Sequence, residues 1–565
     1  LVILVLTVLF WPGVQYHWET ARDPYFAPYD AAQYVPAFFK FDRKDPIPTT
    51  YAKEYYLYAI CPVLYRWITT IGAELADVRY FQLGMMYLAY AVFLGVMGRL
   101  AWVLGGAALS FGVLAITLSA WIFMGLGFIG GAPRMYAYPL MALILFSLIL
   151  DRPRLLAIVV VLGGWLYPMV AMIGGFCLAG WMLVKCFYRR GSVSGWGFRR
   201  RFIILTAAGC LTALAIVPLI LNSKPYGRRV VEADIAAYPE AGPDGNYRIY
   251  DQLPYKLFGP EILTYWIGPL YSHGDPIAPP LSLHRNLAQG PLLMALALTG
   301  VIAILVSLRG MGLILRTDRG AGAVRVIGLF TVCFVLHGIA WLAAPYLYIP
   351  TRYFMFSLPF LVTFIFPWCL YVILGQVPSL QSSPRMRQFA FLGIVGVYLF
   401  LFGGRGNVEF AGNTGERSLR GLYDSIAALP RDAVIAGWPV GSIRKMEYIT
   451  RRNAFLTGDL HQVLHLEFMK AMRERMNAVF DAYLSTDAAP LHRLRSYGAT
   501  HLIVETRDFT DPEHAPEYFA PWRARIQPRL AEIKGKEFLL SPSLHEKAAV
   551  FNRGGLILID LARLP

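Results

Sequence analysis

The chain is 565 residues long, 56% hydrophobic and 16% charged, with a formal net charge of +16. Its mean hydropathy is +0.48, and the charged fraction falls well under the roughly 25% of an ordinary soluble domain, so a water-soluble globular protein is excluded. The basic residues form short clusters at the ends of apolar runs and no continuous stripe, which points to membrane topology and away from a nucleic-acid partner.

Apolar runs long enough for a bilayer core recur from Leu1 to about Gly404, each needing roughly 20 residues. Eleven spans are predicted, at about 1–14, 80–98, 101–122, 135–150, 154–167, 169–187, 201–221, 290–308, 325–344, 353–375 and 389–404. Leu1 has neither an initiator Met nor a basic flank before it, so the first run reads as a truncated transmembrane helix instead of a cleavable signal peptide. The loops DRPR, YRRGSVSGWGFRRR, RGMGLILRTDRGAGAVR and PRMRQ follow spans four, six, eight and ten. With Arg99 they mark one side as cytoplasmic, which places the N-terminus inside. Three long segments are then expected outside: 15–79, 222–289 and everything after residue 405.

The first outer segment opens with RDPYFAPYDAAQYVPAFFKFD. Asp23 precedes Pro24 and suits a turn, and FDRKD, with Asp42 and Asp45, reads as a solvated turn. Asp30 stands at a predicted helix N-cap with Gln33 three residues on, so its carboxylate can cap, act as a base, or do both. Further along, YYLYAICPVLYRWITTIG suits a helix lying in the membrane interface.

GGAPRMYAYPL puts Arg134 at the outer mouth of span four. Pro168 in GGWLYP interrupts one apolar run and predicts a tight outer turn between spans five and six. Lys224, Arg228 and Arg229 follow span seven in SKPYGRR, and YIPTRYFMFSLPF puts Arg352 at the outer mouth of span ten. Such a guanidinium can snorkel and anchor its helix, or grip a phosphate with its planar fork.

The tail alternates in type. ERSLRGLYDSIAAL, HQVLHLEFMKAMRERMNAVFDAYLS and LHRLRSYGA read as helices; AVIAGWP, THLIVET, FLLS, AAVFN and GGLILIDL read as strands. A small α/β domain is expected. His461 and His465 would lie four apart on the long helix, a spacing open to a metal, but the HExxH base is missing and an ordinary helix face is the simpler reading. AGWPVGS lacks a Walker lysine and reads as a turn. Five of the six cysteines lie in or beside apolar runs, and Cys61 is in an aromatic-rich segment, so no disulfide framework is suggested.

In layout, and in the motifs YDAAQY, GGAPRMYAYPL, WLYP and PTRYFMFSLP, the chain resembles the GT-C superfamily of multi-spanning membrane glycosyltransferases. The resemblance implies a polytopic α-helical membrane domain, 1–404, with outer loops 15–79 and 222–289, and an extracytoplasmic α/β domain, 405–565. It further implies a polyprenyl-phosphate-linked sugar donor and a glycan, lipid or protein acceptor. The bilayer would hold the donor tail, in a bacterial inner membrane with the active site outside, serving cell-envelope glycan biosynthesis. The family's first-loop base falls on Asp30, with Asp23 second. Donor-phosphate binding falls on Arg134 and Arg352, with Lys224, Arg228 and Arg229 as further cations. No metal ligands are assigned, and a divalent cation stays open. The WWD motif of oligosaccharyltransferases is absent, which disfavours transfer to asparagine. A transporter or flippase of a lipid-linked substrate would carry acids within its spans; a noncatalytic membrane scaffold is the other alternative.

Overall fold

The computed structural model describes Leu6 and residues 10–28, 30–120, 123, 128, 130–187, 198–246, 304–317, 319–343, 347, 350, 352–402, 412–413, 415–511 and 514–564. The span expected at about 290–308 and the stretch 247–289 of the second outer segment lie largely or wholly outside the described residues.

Among the described residues helices dominate the first 402 positions, and the five-stranded sheet lies near the C-terminus. Among the described residues three helices, Val78–Ser119, Phe202–Tyr226 and Gly320–Leu342, are long and apolar enough to cross a membrane. Large apolar side chains on their outer faces, including Leu88, Trp102, Leu214, Ile220 and Leu342, stay exposed. Water would disfavour so much apolar surface, whereas lipid accepts it.

The boundary expected near residue 99 belongs at Gly106. Val78–Ser119 is helical on both sides of Gly106, whose φ of 73° breaks the ladder. Ser110 Oγ nevertheless donates to the Gly98 carbonyl at 3.0 Å. In a straight helix those residues would stand about 18 Å apart, so the chain folds back there as an antiparallel hairpin. Glycine tolerates the left-handed backbone that closes it. The turn at Pro168 falls where expected, between Pro153–Leu166 and Pro168–Phe187. A Cβ on Gly163 would meet the Ala171 nitrogen at 2.9 Å, so the two helices approach as closely as a glycine permits.

Basic loops converge on the end of the bundle that carries the Gly106 turn. Arg319 donates to the Leu104 carbonyl, and Arg325 pairs with Asp151 at 3.3 Å. About 40 Å of helix separates that end from Val78. There Arg79 donates to the Tyr448 and Ile449 carbonyls of the C-terminal segment.

The C-terminal sheet runs β4-β3-β5-β7-β6, with β3 (Val434–Ala436), β4 (Asn453–Ala454), β5 (His501–Glu505), β6 (Ala549–Arg553) and β7 (Leu556–Asp560). Parallel pairing joins β3 to β4 and β5; antiparallel pairing joins β5 to β7 and β7 to β6. Every residue of β5 is buried, as its HLIVE run suits a central strand. Two tail expectations are corrected. FLLS forms the short 3-10 helix Phe538–Leu540, and the long helix begins at Leu466, leaving His461 outside it and His465 as its N-cap.

The first loop joins this segment. β1 (Ala27–Pro28) pairs antiparallel with β2 (Gly412–Asn413), and the Tyr55 ring stacks on Phe468 at 3.8 Å. One apolar core therefore continues from bundle to sheet.

Candidate active site

The acids of the first loop divide by the partner each meets. Asp23 Oδ2 accepts from Arg417 Nε at 2.5 Å, and its Oδ1 accepts the Tyr25 amide, the turn expected of Asp-Pro. Asp42 meets Arg451 at 2.6 Å and Asp45 meets Arg431 at 2.6 Å. FDRKD is thus no solvated turn, because its carboxylates bind arginines of the C-terminal segment. Burial works to raise the Asp42 carboxyl, but hydrogen bonds from Arg451 and the Lys44 and Asp45 amides outweigh it and hold it below its usual range.

Asp30 differs. Its Oδ2 lies 2.9 Å from Arg134 Nη2 of the bundle, and both side chains are largely buried. Asp30 does occupy the N-cap position of the short helix Ala31–Tyr34, yet its side chain makes no capping bond, so the capping-box expectation is corrected. The carboxylate points across to the GGAPR turn instead.

That turn is built for close approach. Gly131 has φ +90°, and a Cβ there would lie 2.4 Å from Val35 Cγ2 and 3.1 Å from the Ala31 Cβ. The buried Tyr65 hydroxyl donates to the Gly131 carbonyl at 2.7 Å and fixes the turn from a third side. The 3-10 turn Pro133–Tyr136 follows and aims Arg134 at Asp30. Arg134 Nε is buried without a hydrogen-bond partner among the described residues. A donor of the fork is therefore unspent.

Arg352 and WLYP also meet, because Arg352 Nη1 donates to the Tyr167 hydroxyl at 3.0 Å. Phe356 packs edge-on against both Tyr167 and Tyr138, and the Tyr138 hydroxyl donates to the Met355 carbonyl. Tyr138 lies four residues beyond Arg134, so aromatic packing connects the two arginine-bearing turns.

The remaining cations stand elsewhere. Arg228 spends its fork on Asp234, at 2.7 and 2.6 Å, and Lys224 is exposed. Arg229 forms a bridge with His465 as the chain runs alongside 464–466.

Two buried groups of the C-terminal segment escaped the sequence reading. Lys445, on the helix Ile443–Thr450, is buried, and that burial pushes its ammonium below its usual range against the pull of Asp459, Asp30 and Glu416. Glu416 is raised by burial, opposed by a 2.9 Å hydrogen bond from the Tyr423 hydroxyl. The run IRKMEYIT carries three charges in four residues and reads as a solvated face, so nothing local signals that Lys445 and Glu447 are inside. Lys53 explains Glu447: its Nζ lies 2.8 Å from Glu447 and 2.6 Å from Asn453 Oδ1, all three buried.

His461 and His465 serve packing. His461 Nδ1 lies 3.1 Å from the Tyr518 hydroxyl and His465 Nδ1 lies 2.8 Å from that of Tyr55. Burial lowers them to about 3 and about 4.

Fold and site together define a multi-helix, membrane-type protein whose candidate site lies where bundle, first loop and C-terminal segment meet. No protein-family model and no curated protein matches the chain. Two crystal structures of ArnT from Cupriavidus metallidurans are similar to it. The one bound to undecaprenyl phosphate has a TM-score of 0.49 and 12% identity, covering 98% of each chain. The apo one has a TM-score of 0.41 and 15% identity, covering 98% of this chain and 97% of that one. Undecaprenyl phosphate is the ligand of that crystal structure.

Proposed function

We propose that the chain is a GT-C-type membrane glycosyltransferase, moving a sugar from a polyprenyl-phosphate donor to an acceptor at the outer face. Asp30 is its base, and Arg134 and Arg352 serve the donor phosphate. The carrying observation is the division of the first-loop acids: Asp23, Asp42 and Asp45 meet arginines of the C-terminal segment, whereas Asp30 meets a bundle arginine with an unspent Nε–H. Stability alone does not require a carboxylate and a guanidinium facing each other there, since a buried ion pair is weak evidence for stability.

In this reading the arriving phosphate takes over the Arg134 fork, which suits a bidentate oxyanion. The Asp30 carboxylate, released from that ion pair, accepts the proton of the acceptor hydroxyl as its oxygen attacks the anomeric carbon. Arginine meanwhile offsets charge growing on the leaving phosphate. Eleven spans, a domain boundary near residue 405 and an outward-facing site belong to the same proposal.

Purified protein supplied with labelled polyprenyl-phosphate sugars tests it. Transfer by the wild type, lost by about 100-fold to 10,000-fold in Asp30→Asn at unchanged folded yield, is expected. Wild-type turnover in Asp30→Asn overturns the assignment.

A further inference from the structure

The helix Val63–Leu75 follows the first-loop acids and packs on the long apolar helix that starts at Val78. It has two faces. Trp67, Ile71 and Leu75, each about one turn apart, are exposed. The Trp67 ring lies 5.8 Å from that of Trp165, whose helix also exposes Ile158 and Leu162. An apolar stripe continuous with the outer face of the bundle suits lipid. Tyr65 stands two residues before Trp67, about 200° round the helix, and is fully buried. Buried hydrogen bonds run from the long helix to the arginine turn: Gln82 Nε2 donates to Thr69 Oγ1 at 2.6 Å, Thr69 Oγ1 donates to the Tyr65 carbonyl at 2.7 Å, and the Tyr65 hydroxyl donates to the Gly131 carbonyl at 2.7 Å. Phe38 of the first loop meets the Tyr65 ring edge-on at 5.9 Å and fixes its direction. The first two bonds hold the helix Val63–Leu75, whereas the third acts on the turn.

We propose that Tyr65 is a positioning residue of the donor site: its hydroxyl sets the 131–134 turn so that the Arg134 fork meets the donor phosphate. This rests on the glycosyl-transfer reading. A bidentate grip on phosphate requires a fixed direction of the guanidinium plane. That direction is decided three residues after Gly131, which has no side chain with which to anchor the turn itself, so the anchor comes from outside. Asp30 holds Arg134 while the site is empty. The arriving phosphate takes that fork over and ends the ion pair, whereas the Tyr65 bond is made to the backbone and outlasts the exchange. An anchor carried on a helix seated in lipid also keeps the turn at a constant depth relative to the bilayer that would hold the donor's chain.

The test titrates the full chain in nanodiscs with labelled polyprenyl phosphate and with labelled polyprenyl-phosphate pentoses and hexoses. Tyr65→Phe removes one oxygen and keeps the ring. Donor affinity should fall about 10-fold, the worth of one hydrogen bond, while acceptor KM holds. In Arg134→Ala, adding Tyr65→Phe should cost less than about twofold more, because the turn then has no guanidinium to aim. Thr69→Val is the control, since it loosens the same helix without touching the Gly131 carbonyl; melting should fall and donor affinity should stay within about twofold. If Tyr65→Phe gives no folded protein, Tyr65→Met is read by the same criteria. Unchanged donor affinity in folded Tyr65→Phe, equal losses in the wild-type and Arg134→Ala backgrounds, or a matching loss in Thr69→Val overturns the proposal. A wild type that binds polyprenyl phosphate but transfers no sugar overturns the glycosyl-transfer reading alone and leaves the affinity cycle to decide on Tyr65; binding of no probe overturns both.

Discussion

Arg417 Nε donates to Asp23 Oδ2 at 2.5 Å across 394 residues of sequence. The arginine is 65% exposed while the aspartate is 6% exposed, so the pair is a half-wet latch between the first loop and the C-terminal segment. Asp23→Asn should therefore cost about 1 kcal/mol or less in stability and change transfer less than about threefold. Parallel melting and rate measurements check this. Abolished transfer at unchanged melting would move the base from Asp30 to Asp23.

Gly131→Ala should be among the most damaging small substitutions. A side chain at φ +90° is strained, by about 1–3 kcal/mol, and the new methyl would also run into Val35 and Ala31. Since the same turn aims Arg134, donor binding should fall with stability. A second-site Val35→Ala, which clears the nearest clash, should recover part of both, as measured by melting and donor titration.

Arg134→Ala should weaken donor binding about 10-fold to 100-fold, the value of one charged hydrogen bond or a little more. Arg134→Lys should recover only part, since an ammonium lacks the planar fork. Equilibrium binding of a labelled polyprenyl-phosphate sugar distinguishes the variants, and unchanged affinity in the Ala variant would remove Arg134 from the donor site.

His465 makes stability sensitive to mild acid. Its folded pKa is lowered to about 4, chiefly by burial, against about 6.5 in the unfolded chain. The unfolded state binds the proton more readily, so stability is complete above about pH 6.5 and declines as pH falls toward 4, by at most about 3 kcal/mol. His461 acts in the same sense. Melting of His465→Gln should fall less steeply than wild type across that window; parallel curves would show that the Tyr55–His465 contact is not the sensitive one.

Asp508 runs the other way. Burial raises its carboxyl from 3.8 to about 6, opposed by the Tyr483 hydroxyl, which donates to it at 2.7 Å. A raised carboxyl favours the folded state when protonated, so this contribution is present below about pH 4 and is lost as pH rises through about 6. Asp508→Asn keeps an acceptor for Tyr483 without the charge. It should stabilise the chain at pH 7, by an upper bound of about 3 kcal/mol, and melting at pH 4 and pH 7 provides the comparison.

What could be read in advance was what depends on neighbours in sequence. The break at Pro168, the sheet strands His501–Glu505 and Leu556–Asp560, and the helix Arg420–Ala427 all carry local signals of composition or period. YDAAQY and GGAPRM were singled out separately, and their meeting through Asp30 and Arg134 is a tertiary fact. Glu447 was hidden because a buried charge and a solvated one look alike in sequence; only a partner hundreds of residues away, Lys53, distinguishes it. HQVLH has helical spacing and so extends the expected tail helix, whereas its backbone is drawn out to pair with 228–230. At Gly106 the hydropathy is continuous, so the sequence points to the nearest charge, Arg99, and not to the glycine that makes the turn.

The Lys53–Glu447 contact has a consequence for how the chain is made. Lys53 leaves the ribosome about four hundred residues before its carboxylate partner and Asn453. Until they emerge that lysine lacks both, and Asp42 lacks Arg451, so this part of the loop must wait in water or at the lipid surface. Closing contacts so distant is slow, so the first loop is made long before it can mature. Chains arrested before residue 447 would retain apolar helices able to insert, but their first loops would stay open, a ready mark for proteolytic removal.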